Sequence, residues 1–271
     1  MKNLRSPVEM VAGMWRNRSL ILAMTKREVL GRYKGSIFGL LWSFFNPLLM
    51  LTVYTFVFSE IFKARWNLTS QSKMEFALVL FVGLIAFNFF SECVNRAPAV
   101  ILSNPNYVKK VVFPLEILPF VSVLSALFHG VISLSVWLVA HLIFFGLPPV
   151  TALIAPLIAF PLIGFTVGSC WILSSLGVYL RDVSQVIGAV VVMLMFLSPI
   201  FYPLSSVPEV YRGVMHLNPL TVIIEDLRAV LYWGRGIDML NLAMLWCGAS
   251  LFAWMGFAWF QHTRKGFADV L

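Results

Sequence analysis

A chain of 271 residues that is 60% hydrophobic and 12% charged cannot clothe a water-soluble globule, because an ordinary soluble domain is roughly 45–50% apolar and about 25% charged. Disorder is excluded by the same figures, since it needs low hydrophobicity and high charge. A polytopic membrane protein remains, and its net charge of +8 belongs to orientation in the bilayer and contact with anionic lipid heads, not to nucleic acid.

Residues 1–36 read as a cytoplasmic amphipathic segment, charged throughout and without the early apolar core of a signal peptide. In it Leu20, Ile21, Met24, Val29 and Leu30 alternate with Thr25, Lys26, Arg27, Glu28, Arg32 and Lys34. That pattern predicts a helix along the inner interface, apolar side to lipid and basic side to headgroups. A crossing needs about 20 apolar residues, and the uncharged runs give six within a transmembrane domain of 37–263. They are 37–59, 76–97, 117–145, 151–180, 183–202 and 239–263. Ile117–Leu180 is 64 residues without Asp, Glu, Lys or Arg, and Gly146-Leu147-Pro148-Pro149 divides it. Glu92 and Arg96 are expected to pair at i, i+4 near the interface at the end of the second span.

With the N-terminus inside, 14 of the 20 basic residues fall on the inner side and 6 outside. Both termini, including the tail 264–271, are therefore expected in the cytoplasm. Between the fifth and sixth spans lies a segment too charged to cross. Pro208-Glu209-Val210-Tyr211-Arg212 opens one short helix, and Asn218-Pro219 opens a second, with Asn as cap and Pro at the first position. The second carries Glu225, Asp226 and Arg228 on its polar side. Crossing would place those charges mid-bilayer at a few kcal/mol each. Two short re-entrant outer-side helices over 205–234 avoid that cost. They read either as an amphipathic loop on the membrane or as an outer gate containing Pro203, Tyr211, Asn218, Pro219, Glu225 and Arg228. The expected fold is thus all-α integral membrane, with six transmembrane helices, an interfacial N-terminal helix and these two outer helices.

Chemistry-bearing motifs are scarce. Cys93, Cys170 and Cys247 lie far apart without metal-site spacing and read as packing residues. His129 and His141, on the third span, stand about 120° apart around the helix and share no face. They read as core or pore-lining residues. No Gly-x-x-x-x-Gly-Lys-[Ser/Thr] loop, Gly-x-Ser-x-Gly or His-Glu-x-x-His occurs, so neither an enzyme nor a nucleotide cofactor is expected in this chain. Aromatics crowd the first, second and fifth spans. Trp42, Phe45, Tyr54, Phe58, Phe196, Phe201 and Tyr202 are candidates to line a path for sugars, although aromatics also pack against lipid.

The run Lys26-Arg27-Glu28-Val29-Leu30-Gly31-Arg32-Tyr33-Lys34-Gly35-Ser36, with Gly39-Leu40-Leu41-Trp42 and Asn46-Pro47-Leu48 after it, resembles the opening of ABC-2 type polysaccharide export permeases. Tyr54-Thr55-Phe56-Val57-Phe58, Tyr179-Leu180-Arg181-Asp182-Val183, Ser198-Pro199-Ile200-Phe201-Tyr202-Pro203 and Asn218-Pro219-Leu220-Thr221 follow in that family's order. The resemblance implies a permease subunit that forms a homodimer and pairs with two copies of a separate ATPase, which binds ATP and Mg. It also implies a bacterial inner-membrane location and export of a polyprenyl-pyrophosphate-linked glycan such as an O-antigen, teichoic acid or capsule. Residues implied to couple to the ATPase are Asn104, Pro105, Asn106, Tyr107, Val108, Lys109, Lys110 and Phe113, with Arg181 and Asp182 as a second inner contact. Arg27, Arg32, Tyr33 and Lys34 are expected to receive the anionic headgroup. A small-lipid or drug exporter, or a membrane-embedded glycan-lipid transferase, is the alternative.

Overall fold

The computed structural model describes residues 6–61, 66, 73–109 and 113–270. Lys110, expected among the coupling residues, lies outside the described residues, as do Lys63 and Arg65 of the first outer loop. All regular structure among the described residues is helical. In chain order the α-helices are α1 (Pro7–Arg16), α2 (Arg18–Arg32), α3 (Trp42–Thr55), α4 (Lys73–Arg96), α5 (Pro105–Val108), α6 (Ile117–Phe145), α7 (Ala155–Tyr179), α8 (Val183–Leu197), α9 (Glu209–His216), α10 (Pro219–Leu231), α11 (Met239–Thr263) and α12 (Phe267–Val270).

Among the described residues five segments are helical, long and apolar enough to cross a membrane: Gly39–Phe58, Met74–Ala99, Ile117–Phe145, Val150–Tyr179 and Met239–Val270. The segment expected as the fifth span is shorter than its reading. Helix α8 has 15 residues, about 22 Å at 1.5 Å per residue, against roughly 30 Å of hydrocarbon. It stops because Ser198 is extended and Pro199 cannot continue the ladder.

Helix α4 is the axis of the bundle. Phe76 to Val82 are all buried, as expected of a helix apolar on every side. The Trp137 indole donates to the Leu78 carbonyl at 3.0 Å. Small residues set a close crossing between α7 and α11. A side chain on Gly256 would put its Cβ 2.5 Å from the Gly168 carbonyl oxygen, so the two backbones meet where only hydrogen fits. At the end that carries α2, the Tyr179 hydroxyl donates to the Thr263 carbonyl at 2.8 Å and Arg264 pairs with Glu116 at 2.8 Å. At the opposite end the chain turns through Gly146, whose φ is +81°. His141 and the Gly146 carbonyl close that turn at 3.0 Å.

Two expectations are corrected here. Most of the apolar side of α2 faces the bundle and not lipid: Ile21, Met24 and Val29 are buried, while Leu30 is exposed, and the helix packs on α6. In a membrane a neighbouring helix satisfies an apolar face as well as lipid does, so the pattern alone could not choose. The polar side of α10 is the second. Arg228 is 1% exposed. Its guanidinium donates to the carbonyls of Val79 (3.0 Å), Pro199 and Ile200 (2.8 Å), pairs with Glu225 at 2.8 Å, and stacks 4.3 Å over Trp66. The chain that leaves α8 carries carbonyls without helical partners, and Arg228 supplies their donors from the inside.

Candidate functional site

The residues expected to receive a headgroup lie at one end of the bundle and are already paired. Arg32 forms an ion pair with Glu92, and Glu28 one with Arg96. Arg96 is also 3.6 Å from Glu92, the expected i, i+4 pair, but this is the longer contact. Burial would lower the Arg32 guanidinium pKa, yet the Glu92 carboxylate outweighs it and raises the net value. Both Nη atoms of Arg27 donate to the Tyr107 hydroxyl at 3.2 Å. Tyr33 shares a hydrogen bond of 3.3 Å with His129 Nδ1. Lys34 is exposed.

The coupling segment is tied back onto its own chain. Asn104 donates to the Val100 carbonyl at 2.9 Å and precedes the short helix begun by Pro105. Tyr107 and Phe113 stack at 4.3 Å and 12° and, with Val108, lean on the core. Asn106 and Lys109 are the coupling residues that stand exposed, as do Arg181 and Asp182 in the turn between α7 and α8. A pocket of about 270 Å³ separates this link from α2, lined in part by Arg27, Glu28, Arg96, Ser103 and Asn104.

The expected channel aromatics fall into two groups. Phe58 stacks on Phe201 at 5.6 Å and contacts Tyr54 at 6.3 Å, while Phe196 meets Phe201 at 6.2 Å. This string joins the far ends of the first span and α8. The Tyr202 hydroxyl donates to the Phe196 carbonyl at 2.7 Å. Trp42 and Phe45 meet at 6.3 Å near the α2 end. Phe45 borders an open apolar groove of about 890 Å³ that runs between α3 and α6. Of the outer-gate residues, Pro203 is extended, Tyr211 is exposed on α9, and Asn218 caps α10 through the Leu220 amide at 3.0 Å. Its side chain also donates to Ser198 at 3.0 Å. Pro219 occupies the first turn of α10, Glu225 is half-exposed, and Arg228 is interior.

Sequence reasoning missed a polar cavity of about 320 Å³ that opens at the bundle surface, where Trp42, Asn46, Met50 and Asn88 are exposed. One stripe from each of three helices walls it: Trp42, Asn46 and Met50 of α3, Phe81, Ile85, Asn88 and Glu92 of α4, and Ala126, His129, Gly130 and Ser133 of α6. Arg32 and Tyr33 border it from the end of α2. The signal was present as polar residues at helical spacing inside otherwise apolar runs, above all Asn88 and Glu92.

A family model described as ABC-2 type transporter matches residues 19–232. The chain belongs to the ABC-2 type transporter family. As an ABC-2 chain with these apolar helices it is a multi-pass membrane protein and a transport component. It is 28% identical to an O-antigen export system permease protein RfbA of Myxococcus xanthus over 97% of this chain and 100% of that protein. A Klebsiella pneumoniae RfbA is 26% identical over 93% of this chain and 95% of its own length. The polysialic acid transport protein KpsM of Escherichia coli is 24% identical over 82% and 86%.

Proposed function

We propose that this chain is the permease of an ATP-driven exporter that carries a lipid-linked polysaccharide, foremost an O-antigen, outward across the bacterial inner membrane. The observation that carries the reading is the end-to-end likeness to an O-antigen permease, 97% of this chain against 100% of the relative. In this reading two copies of the chain work with two copies of a partner ATPase that binds ATP and Mg. Both termini lie in the cytoplasm. Helix α8, extended by 198–202, is the fifth of six crossings, and α9 and α10 return on the outer side. Asn106, Lys109, Arg181 and Asp182 face the ATPase. Tyr107 passes the movement to α2 through Arg27, and the cations at the end of α2 meet the pyrophosphate.

Depletion of the protein tests the reading through the polyprenyl-linked glycans of the membrane and the glycan on the cell surface. Export predicts that glycan accumulates inside while the surface glycan disappears. Arrested synthesis would favour a transferase, and unchanged glycans would favour a small-lipid or drug exporter. Replacing Arg27, Arg32 and Lys34 by Ala should cut export with insertion intact; undiminished export removes the headgroup role.

A further inference from the structure

We propose that the polar cavity between α3, α4 and α6 is a seat for one sugar ring, the one next to the lipid pyrophosphate; this rests on the export reading above. The Asn46 and Asn88 side chains are exposed in the cavity wall and carry no hydrogen bond among the described residues. His129 Nε2 is buried without a partner. The buried imidazole nitrogen carries a desolvation cost that a bound partner would relieve, and the two exposed amides offer free hydrogen-bonding capacity beside it.

What they would bind follows from their chemistry. Each amide offers two donors and an acceptor. The one ion pair in the wall, Arg32 with Glu92, is neutral as a unit. A phosphate accepts only and would face the Glu92 carboxylate, so the cavity disfavours it. A ring of hydroxyls both donates and accepts, and its C–H faces suit the aromatic walls Trp42, Phe81 and Phe89. The volume, about 320 Å³, is at the small end of the 300–1,000 Å³ usual for small-molecule pockets. That is room for one ring and not for a chain. Arg32 and Tyr33 stand on the α2 side of the cavity, which leaves the pyrophosphate to the exposed Lys34 just beyond them.

The test uses the full chain with its ATPase in lipid nanodiscs. Ser133→Cys places a reporter in the cavity wall, with Cys247→Ala removing the exposed native thiol while Cys93 and Cys170 remain buried. A small charged thiosulfonate labels the reporter in the presence of two probes, a polyprenyl pyrophosphate bearing one N-acetylhexosamine and the same lipid without sugar. The sugar-bearing lipid is expected to slow labelling about tenfold, with the bare lipid leaving the rate within about twofold. Equal protection by both, or by neither, overturns the proposal. Independently, a Cβ on Gly130 meets nothing within 4 Å, so Gly130→Leu fills the cavity. It should abolish surface glycan at normal membrane abundance, while Gly130→Ala exports. Normal export by Gly130→Leu overturns the proposal; if that variant fails to accumulate, the labelling result decides. Failure of the export reading itself is seen separately, as surface glycan unchanged on depletion.

Discussion

Replacement of Arg228 by Met keeps the volume of the side chain and removes its charge. Three backbone carbonyls, those of Val79, Pro199 and Ile200, then lose their donor inside the bundle, and Glu225 loses its partner. Each hydrogen bond to a charged group is worth about 1.5–3 kcal/mol, but they are offset by the relief of no longer burying a cation. Each buried carbonyl left without a donor costs about 1–3 kcal/mol, so three of them, less that relief, leave a net loss of about 3–5 kcal/mol. At roughly 2–4 °C per kcal/mol for a chain of this size, Arg228→Met should melt about 10 °C below the parent. Purified protein in mild detergent, heated in steps and analysed by gel filtration, reads this directly. Glu225→Gln leaves the buried Arg228 cation its three carbonyls but no counter-ion, and should also melt below the parent, by less than Arg228→Met does. A midpoint for Arg228→Met within about 2 °C of the parent would refute the idea that this side chain pins α4, α10 and the chain after α8 together.

Gly256→Val should prevent α7 and α11 from closing, because the added Cβ would stand 2.5 Å from the Gly168 carbonyl oxygen. Protease sensitivity of the membrane-inserted chain should rise sharply, and parental resistance would contradict the close crossing. Asp226 has its carboxyl raised to about 6 by burial, with Glu225 and Asp238 adding to it. A folded pKa above the unfolded one means that the folded state loses stability as pH rises from about 4 to 6 and no further above that. Asp226→Asn should therefore melt above the parent at pH 7.5 and level with it near pH 4. A gain of the same size at both pH values would assign the effect to packing instead.

Residues of the chain differ in how much of their position a one-dimensional pattern holds. Charge-free length and helix breakers are local properties, so the bounds of α6 and α11, the turn at Gly146 and the cap at Asn218 were legible in the sequence. So were the helical class and the membrane setting, because they follow from how much apolar surface the chain has to hide. The ordered motifs from Lys26 to Thr221 carried the family. What a face packs against is not local. In water an apolar stripe must turn inward, but in a bilayer lipid and protein are equally apolar, so periodicity could not say that Ile21 and Met24 meet α6 while Phe44 and Leu48 remain open. The same ambiguity hid the partners of the polar residues. Arg228 became interior only where the end of α8 left carbonyls for it, and Glu92 took Arg32 from a helix 60 residues away. Asn46, Asn88 and His129 became one cavity only when three helices placed them side by side, which no spacing along the chain encodes.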